Sequence, residues 1–124
     1  MTDWVDVVNA SRGREPLLRA RWCASFACRL RGLTFRREIP PGEGLLLVES
    51  RETIASSAIH MLAVFMDLGV VWLSEDLIVV DAMVAKPWRL YAPAAPAKYI
   101  LEGQPTLVEQ VSVGDQLELV HVEA

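Results

Sequence analysis

Four arginines crowd one glycine in the stretch CRLRGLTFRRE, residues 28–38. Arg29, Arg31, Arg36 and Arg37 could hold an anion, because a guanidinium is a planar fork of donors that fits phosphate and carboxylate. The same residues also describe the solvated outside of a helix end and a turn. That plainer reading is favoured, with an anion as the second choice. A nucleic-acid face is the weaker alternative. Trp22, Phe26 and Phe35 interrupt the basic stretch at spacings that suit core packing, and the rest of the chain is acidic enough to repel a phosphate backbone.

A second candidate is His60, inside an apolar run. Such a histidine is usually a hydrogen-bonded core or rim residue. Paired with Asp67 or Asp81 it would make a general acid/base set, which is the hydrolase-like alternative. A third candidate is the loop AKPWRLY, residues 85–91, where Lys86, Trp88, Arg89 and Tyr91 combine cations with aromatics in a proline-stiffened segment. Those residue types are enriched in recognition sites. Equally, Trp88 could plug one end of the core.

Other chemistries find no support. There is no G-x-S-x-G elbow, no phosphate-binding G-x-x-x-x-G-K and no H-E-x-x-H. Cys23 and Cys28 form one C-x4-C with no second pair, and His60 and His121 are distant, so neither a zinc site nor any other metal or cofactor is expected. The two thiols are expected to be reduced and to serve as small buried hydrophobes.

These side chains need elements to position them. PLLRARWC alternates, with Leu18, Ala20 and Trp22 on one side and Arg19 and Arg21 on the other, the period of a half-buried strand. ASFACRLR follows as a short helix capped by Ser25 and ended by Gly32. LLLVES reads as a buried strand and KPWRLYAPAAPAK as an extended loop. KYILE is another strand, TLVEQV after Pro105 one helical turn, and VGDQLELVHV a turn and the last strand.

The longest apolar run, AIHMLAVFMDLGVVWL (58–73), does not suit a bilayer. Its strong hydrophobes supply about −4 kcal/mol in total, and Asp67 alone returns about +3. The run divides instead into a strand near Ile59–Phe65, a bend at Asp67–Gly69 and a strand over Val70–Leu73. LIVVDAMVA then returns as a third strand. Short runs punctuated by turn residues are the all-β pattern, and unbroken apolar runs imply strands covered on both faces.

At 124 residues, 52% hydrophobic and 23% charged, one core-rich domain is expected. The charge is lopsided. Up to Arg37 eight basic residues face three acids; from Glu38 onward four face thirteen. The first residues carry acids and no apolar stretch, so no secretory leader is expected and the reading is cytoplasmic.

RGLTFR (31–36), GEGLLL (42–47), IHM (59–61), VVWL (70–73), KPWR (86–89), YILE (99–102) and VGD (113–115) stand in an order that resembles domain-of-unknown-function family 192. The resemblance spans roughly Leu18–Val120. It implies a mostly β domain, a jelly-roll-like sandwich or distorted barrel with one or two short helices, and no established reaction. Many members of the family look exported or lipid-anchored. Thr34, Ile59-His60-Met61, Leu62-Ala63, Asp67 and Gly69 depart from the usual residues at their positions, which lowers the expectation of catalysis.

The combined expectation is a small non-catalytic β domain that binds a small ligand, anionic or not, or a protein partner. Its site would be a cleft where Arg31 and Arg36, His60, and the loop residues Lys86, Trp88 and Arg89 converge.

Overall fold

Residues 3–33 and 36–122 are described by the computed structural model. Phe35 and Thr34, expected respectively in the core and as a departure from the family pattern, lie outside the described residues. Strands dominate: β1 (Trp4–Asn9), β2 (Glu15–Cys23), β3 (Glu43–Thr53), β4 (Ile59–His60), β5 (Leu68–Leu73), β6 (Val79–Ala85), β7 (Leu90–Tyr91), β8 (Ala97–Gly103) and β9 (Leu117–Val122). Two short α-helices, α1 (Phe26–Arg31) and α2 (Ile54–Ser57), and 3-10 turns at Ala10–Arg12 and Pro105–Gln110 complete the described elements. No described helix is long and apolar enough to cross a membrane.

Seven strands form one curled sheet in the order β6-β5-β8-β3-β2-β1-β9, and β4 with β7 makes a separate two-stranded ribbon. Of the predicted alternatives, the barrel form is the one observed, as a half-barrel. Its two edges are stitched together at one end. Val79 N–H donates to Asp115 O, Gly114 N–H to Val79 O and Leu117 N–H to Leu77 O, all at 2.8–2.9 Å. All pairs in the main sheet are antiparallel except β2 with β3. A parallel pair needs a long crossover, and residues 24–42, including α1, supply it.

The curl gives the sheet two unlike faces. The inner face gathers side chains from all seven strands, among them Val7, Ala20, Leu46, Val71, Val79, Leu101 and Leu117. The outer face of β3, β8 and β5 carries Leu45, Leu47, Val70, Trp72 and Ile100, covered by Leu33, Ile39, Ile59, Met61 and Val64 from the crossover and the β4 region. Every residue of β5 is buried, as the unbroken apolar run predicts. The 3-10 turn at Pro105–Gln110 packs so closely on β5 that a Cβ on Gly69 would collide with the Gln104 carbonyl.

The hairpin expected within residues 59–73 does not form. β4 pairs with β7, while β5 lies between β6 and β8. The reason is where the intervening backbone finds partners. Met61 N–H donates to Arg89 O and Trp88 N–H to Met61 O, each at 2.7 Å. The segment after His60 is thus held by the Lys86–Arg89 loop, and both edges of β5 are already taken. That loop is correspondingly less open than expected, because Leu90–Tyr91 are strand.

Candidate functional site

The outer face of the sheet is not covered evenly. A cavity of about 220 Å³ opens between α1, the α2–β4 corner and the strands β3 and β8. Local sequence builds its wall. Ser25 caps α1, its Oγ accepting from Cys28 N–H at 3.1 Å, and Gly32 ends it at φ 49°, with its N–H donating to Cys28 O. Cys23, at the end of β2, is joined to Cys28 on α1 by a disulfide. The thiols are therefore not reduced as expected. The capped turn folds α1 back over β2 and brings the two Cα atoms to 5.5 Å, inside the range a disulfide spans.

The cavity floor is Glu102 on β8. Its cross-strand neighbours are Leu45 and Val70, and it is only 5% exposed. The described residues give its carboxyl group no hydrogen bond, but its oxygens are not buried unsatisfied atoms, because the group lines the cavity. Burial pushes its pKa up to about 7, since a carboxylate without partners is poorly stabilised away from water. Glu49, two pleats along β3, also lines the cavity. Burial raises its pKa as well, opposed by Arg29, whose Nη1 lies 3.5 Å from Glu49 Oε1 and 3.4 Å from Val48 O. Arg31, Ser56 and His60 contribute further polar groups, and the largely exposed Phe26 and Leu30 form an apolar lip. Phe26 was expected to pack in the core. Its position, first in a helix with no buried residues, turns it outward.

The predicted site residues fall into three places. Arg31 and His60 meet at this cavity. Arg36 lines a second cavity, which Arg31 also borders. Lys86, Trp88 and Arg89 line neither, and Trp88 is not the predicted wall. Lys86 Nζ pairs with Asp67 Oδ2 at 2.7 Å. Trp88 is 60% exposed and sits at φ 66°, its ring edge-on to Phe65 at 6.1 Å. Arg37 lies over the other partner of that pair, 5.2 Å from the Phe65 centroid.

His60 is exposed, and among the described residues no aspartate hydrogen-bonds to it. Asp67 holds Lys86, and Asp81 accepts from the backbone N–H groups of Ala82 and Ala94. The residue that sequence reasoning missed is Glu102. Its only signal was an acid ending an otherwise apolar strand, KYILE. The described residues contain no cluster of three or more histidine, cysteine or carboxylate side chains arranged to hold a metal.

Comparison with known proteins agrees with this architecture. DUF192, a family described as "Uncharacterized ACR", matches residues 7–119. A UPF0127 protein of Pyrococcus furiosus is 38% identical over 114 residues, 90% of this chain and 96% of its own. Another from Pyrococcus horikoshii is 32% identical over the same shares. A crystal structure from Sinorhizobium meliloti superposes with a TM-score of 0.81 at 22% identity, covering 96% of this chain and 94% of that one. One from Novosphingobium aromaticivorans gives 0.79 at 21%, covering 94% and 84%. At those identities the two structures speak for the fold alone. The family match and the Pyrococcus relatives together establish that this chain belongs to domain-of-unknown-function family 192.

Proposed function

We propose that the protein is a non-catalytic binding module that takes a small ligand into the cavity above Glu102. The observation that carries this reading is the Glu102 carboxyl, recessed in the sheet, given no hydrogen bond by the described residues and lining that cavity. A ligand hydroxyl or amine would supply the missing partner. Arg31 and His60 at the wall would receive the ligand's acceptor groups, and Phe26 and Leu30 its apolar edge. At about 220 Å³ the space falls below the ~300–1,000 Å³ usual for drug-sized ligands, so the ligand is small, of amino-acid or monosaccharide size.

The cytoplasmic setting expected from the sequence belongs to this proposal. It makes the Cys23–Cys28 bond reversible, because the cytosol reduces disulfides it can reach.

The test is a thermal-shift and calorimetric screen of wild type against α-amino acids, small amines and monosaccharides, repeated on Glu102→Gln, Arg31→Ala and His60→Ala. A ligand whose binding weakens at least tenfold in Glu102→Gln is expected. Equal responses in wild type and all three variants would remove the site.

A further inference from the structure

The second cavity, of about 460 Å³, lies on the same outer face, on the far side of the last turn of α1. Arg31, Gly32 and Leu33 border both spaces. Three arginines line the second one, each from a different segment: Arg21 from β2, Arg31 from the end of α1 and Arg36 from the crossover beyond it.

Their neighbours behave differently. Arg19, two residues before Arg21 on the same strand, is held by Asp6 through Nε at 2.8 Å and Nη2 at 3.1 Å. Arg29, two residues before Arg31, is paired with Glu49. Arg21, Arg31 and Arg36 take no ion pair among the described residues. Among the described residues Glu43 is the single carboxylate lining the cavity, which leaves two positive charges in excess there. Like charges gathered around one space repel, and Trp4 and Ile39 give that space an apolar wall.

We infer that this cavity binds a small organic anion carrying at least two negative charges, on phosphate or carboxylate groups. Arginine forks engage either group through paired N–H donors, and the apolar wall takes the ligand's body. The inference does not depend on the Glu102 reading, since Arg21 and Arg36 line only the second cavity.

The test is isothermal titration of the full chain with pyrophosphate, citrate and, as a single-charge control, acetate. Pyrophosphate and citrate together separate a phosphate preference from a carboxylate one. At least one of them should bind more tightly than acetate, with affinity falling as salt rises. Arg21→Gln/Arg36→Gln should weaken that binding at least tenfold, and Glu102→Gln should leave it unchanged. Glu43→Gln should tighten it severalfold, which decides the matter if the double variant does not fold. No binding at millimolar probe, or no response to Glu43→Gln and the arginine changes, overturns the inference. So does tighter binding of a short single-stranded oligonucleotide than of either small anion, which would mark an extended polyanion surface.

Discussion

Asn9 Nδ2 donates to Asp115 Oδ2 at 2.8 Å, joining positions 106 residues apart. Asn9 is wholly buried, and its second amide hydrogen goes to Gln110 O while its Oδ1 accepts from Ser11 N–H. Asp115 in turn accepts from Ser112 N–H and lies 3.5 Å from Arg12 Nε. The hydrogen bond from Asn9, first, and that from Ser112 hold the Asp115 carboxyl below the usual carboxylate range. This node fastens β1 to the turn before β9, where the sheet edges are stitched. Asn9→Ala should cost about 1–3 kcal/mol, the range for leaving a buried partner unmade. Urea denaturation at pH 7 measures it; a loss below 0.5 kcal/mol would mean the node is dispensable.

Glu102 makes stability fall with rising pH. Its folded pKa is about 7, above the ordinary 4.5. Between those values the folded chain keeps a proton that the unfolded chain releases, so alkaline change favours unfolding. The loss amounts to roughly 3 kcal/mol across the window, from the size of the shift. Glu102→Gln should flatten the stability profile between pH 4.5 and 7. Chemical denaturation at three pH values checks this, and parallel profiles for the two proteins would contradict it.

The Cys23–Cys28 bond closes a loop of sequence separation five. Loops that short stabilise by about 2 kcal/mol on the chain-entropy model. Cys23→Ser/Cys28→Ser should lower the unfolding free energy by about that much and raise amide exchange in α1 before β5. Because α1 separates the two cavities, ligand binding should weaken too. Mass-spectrometric thiol trapping in cells reports which redox form is populated.

Two tryptophans should respond very differently to replacement. Trp72 is fully buried, and its Nε1–H donates to Ser57 O at 2.8 Å. Trp72→Phe orphans that carbonyl and leaves a void, a loss of about 2–4 kcal/mol. Trp88, exposed and at positive φ, occupies a backbone region that costs a bulky residue about 1–2 kcal/mol. Trp88→Gly relieves that cost while giving up the Phe65 contact. Its melting temperature should stay near wild type. A large drop would show that the Phe65–Trp88 pair is structural.

Local chemistry was readable where one residue decides one feature. Ser25 and Gly32 marked both ends of α1, the period of Leu18, Ala20 and Trp22 marked β2, and Asp67 argued against a spanning helix. Partner choice was not readable. Ile59–His60 and Leu68–Leu73 look like two arms of a hairpin until the Met61 backbone is seen to bond Trp88 and Arg89. Glu102 has the same explanation. A glutamate closing KYILE reads as a solvated strand end, and only the order β5-β8-β3 puts Val70 and Leu45 beside it. The cysteine spacing was equally silent, because it permits a bridge only once α1 folds back on β2.

The pairing of β1 with β9 has a bearing on how the molecule is made. Once made, β1 waits beside β2 with its other edge bare until Leu117–Val122 has been synthesised. Nascent chains therefore carry an open strand edge until β9 emerges to close it.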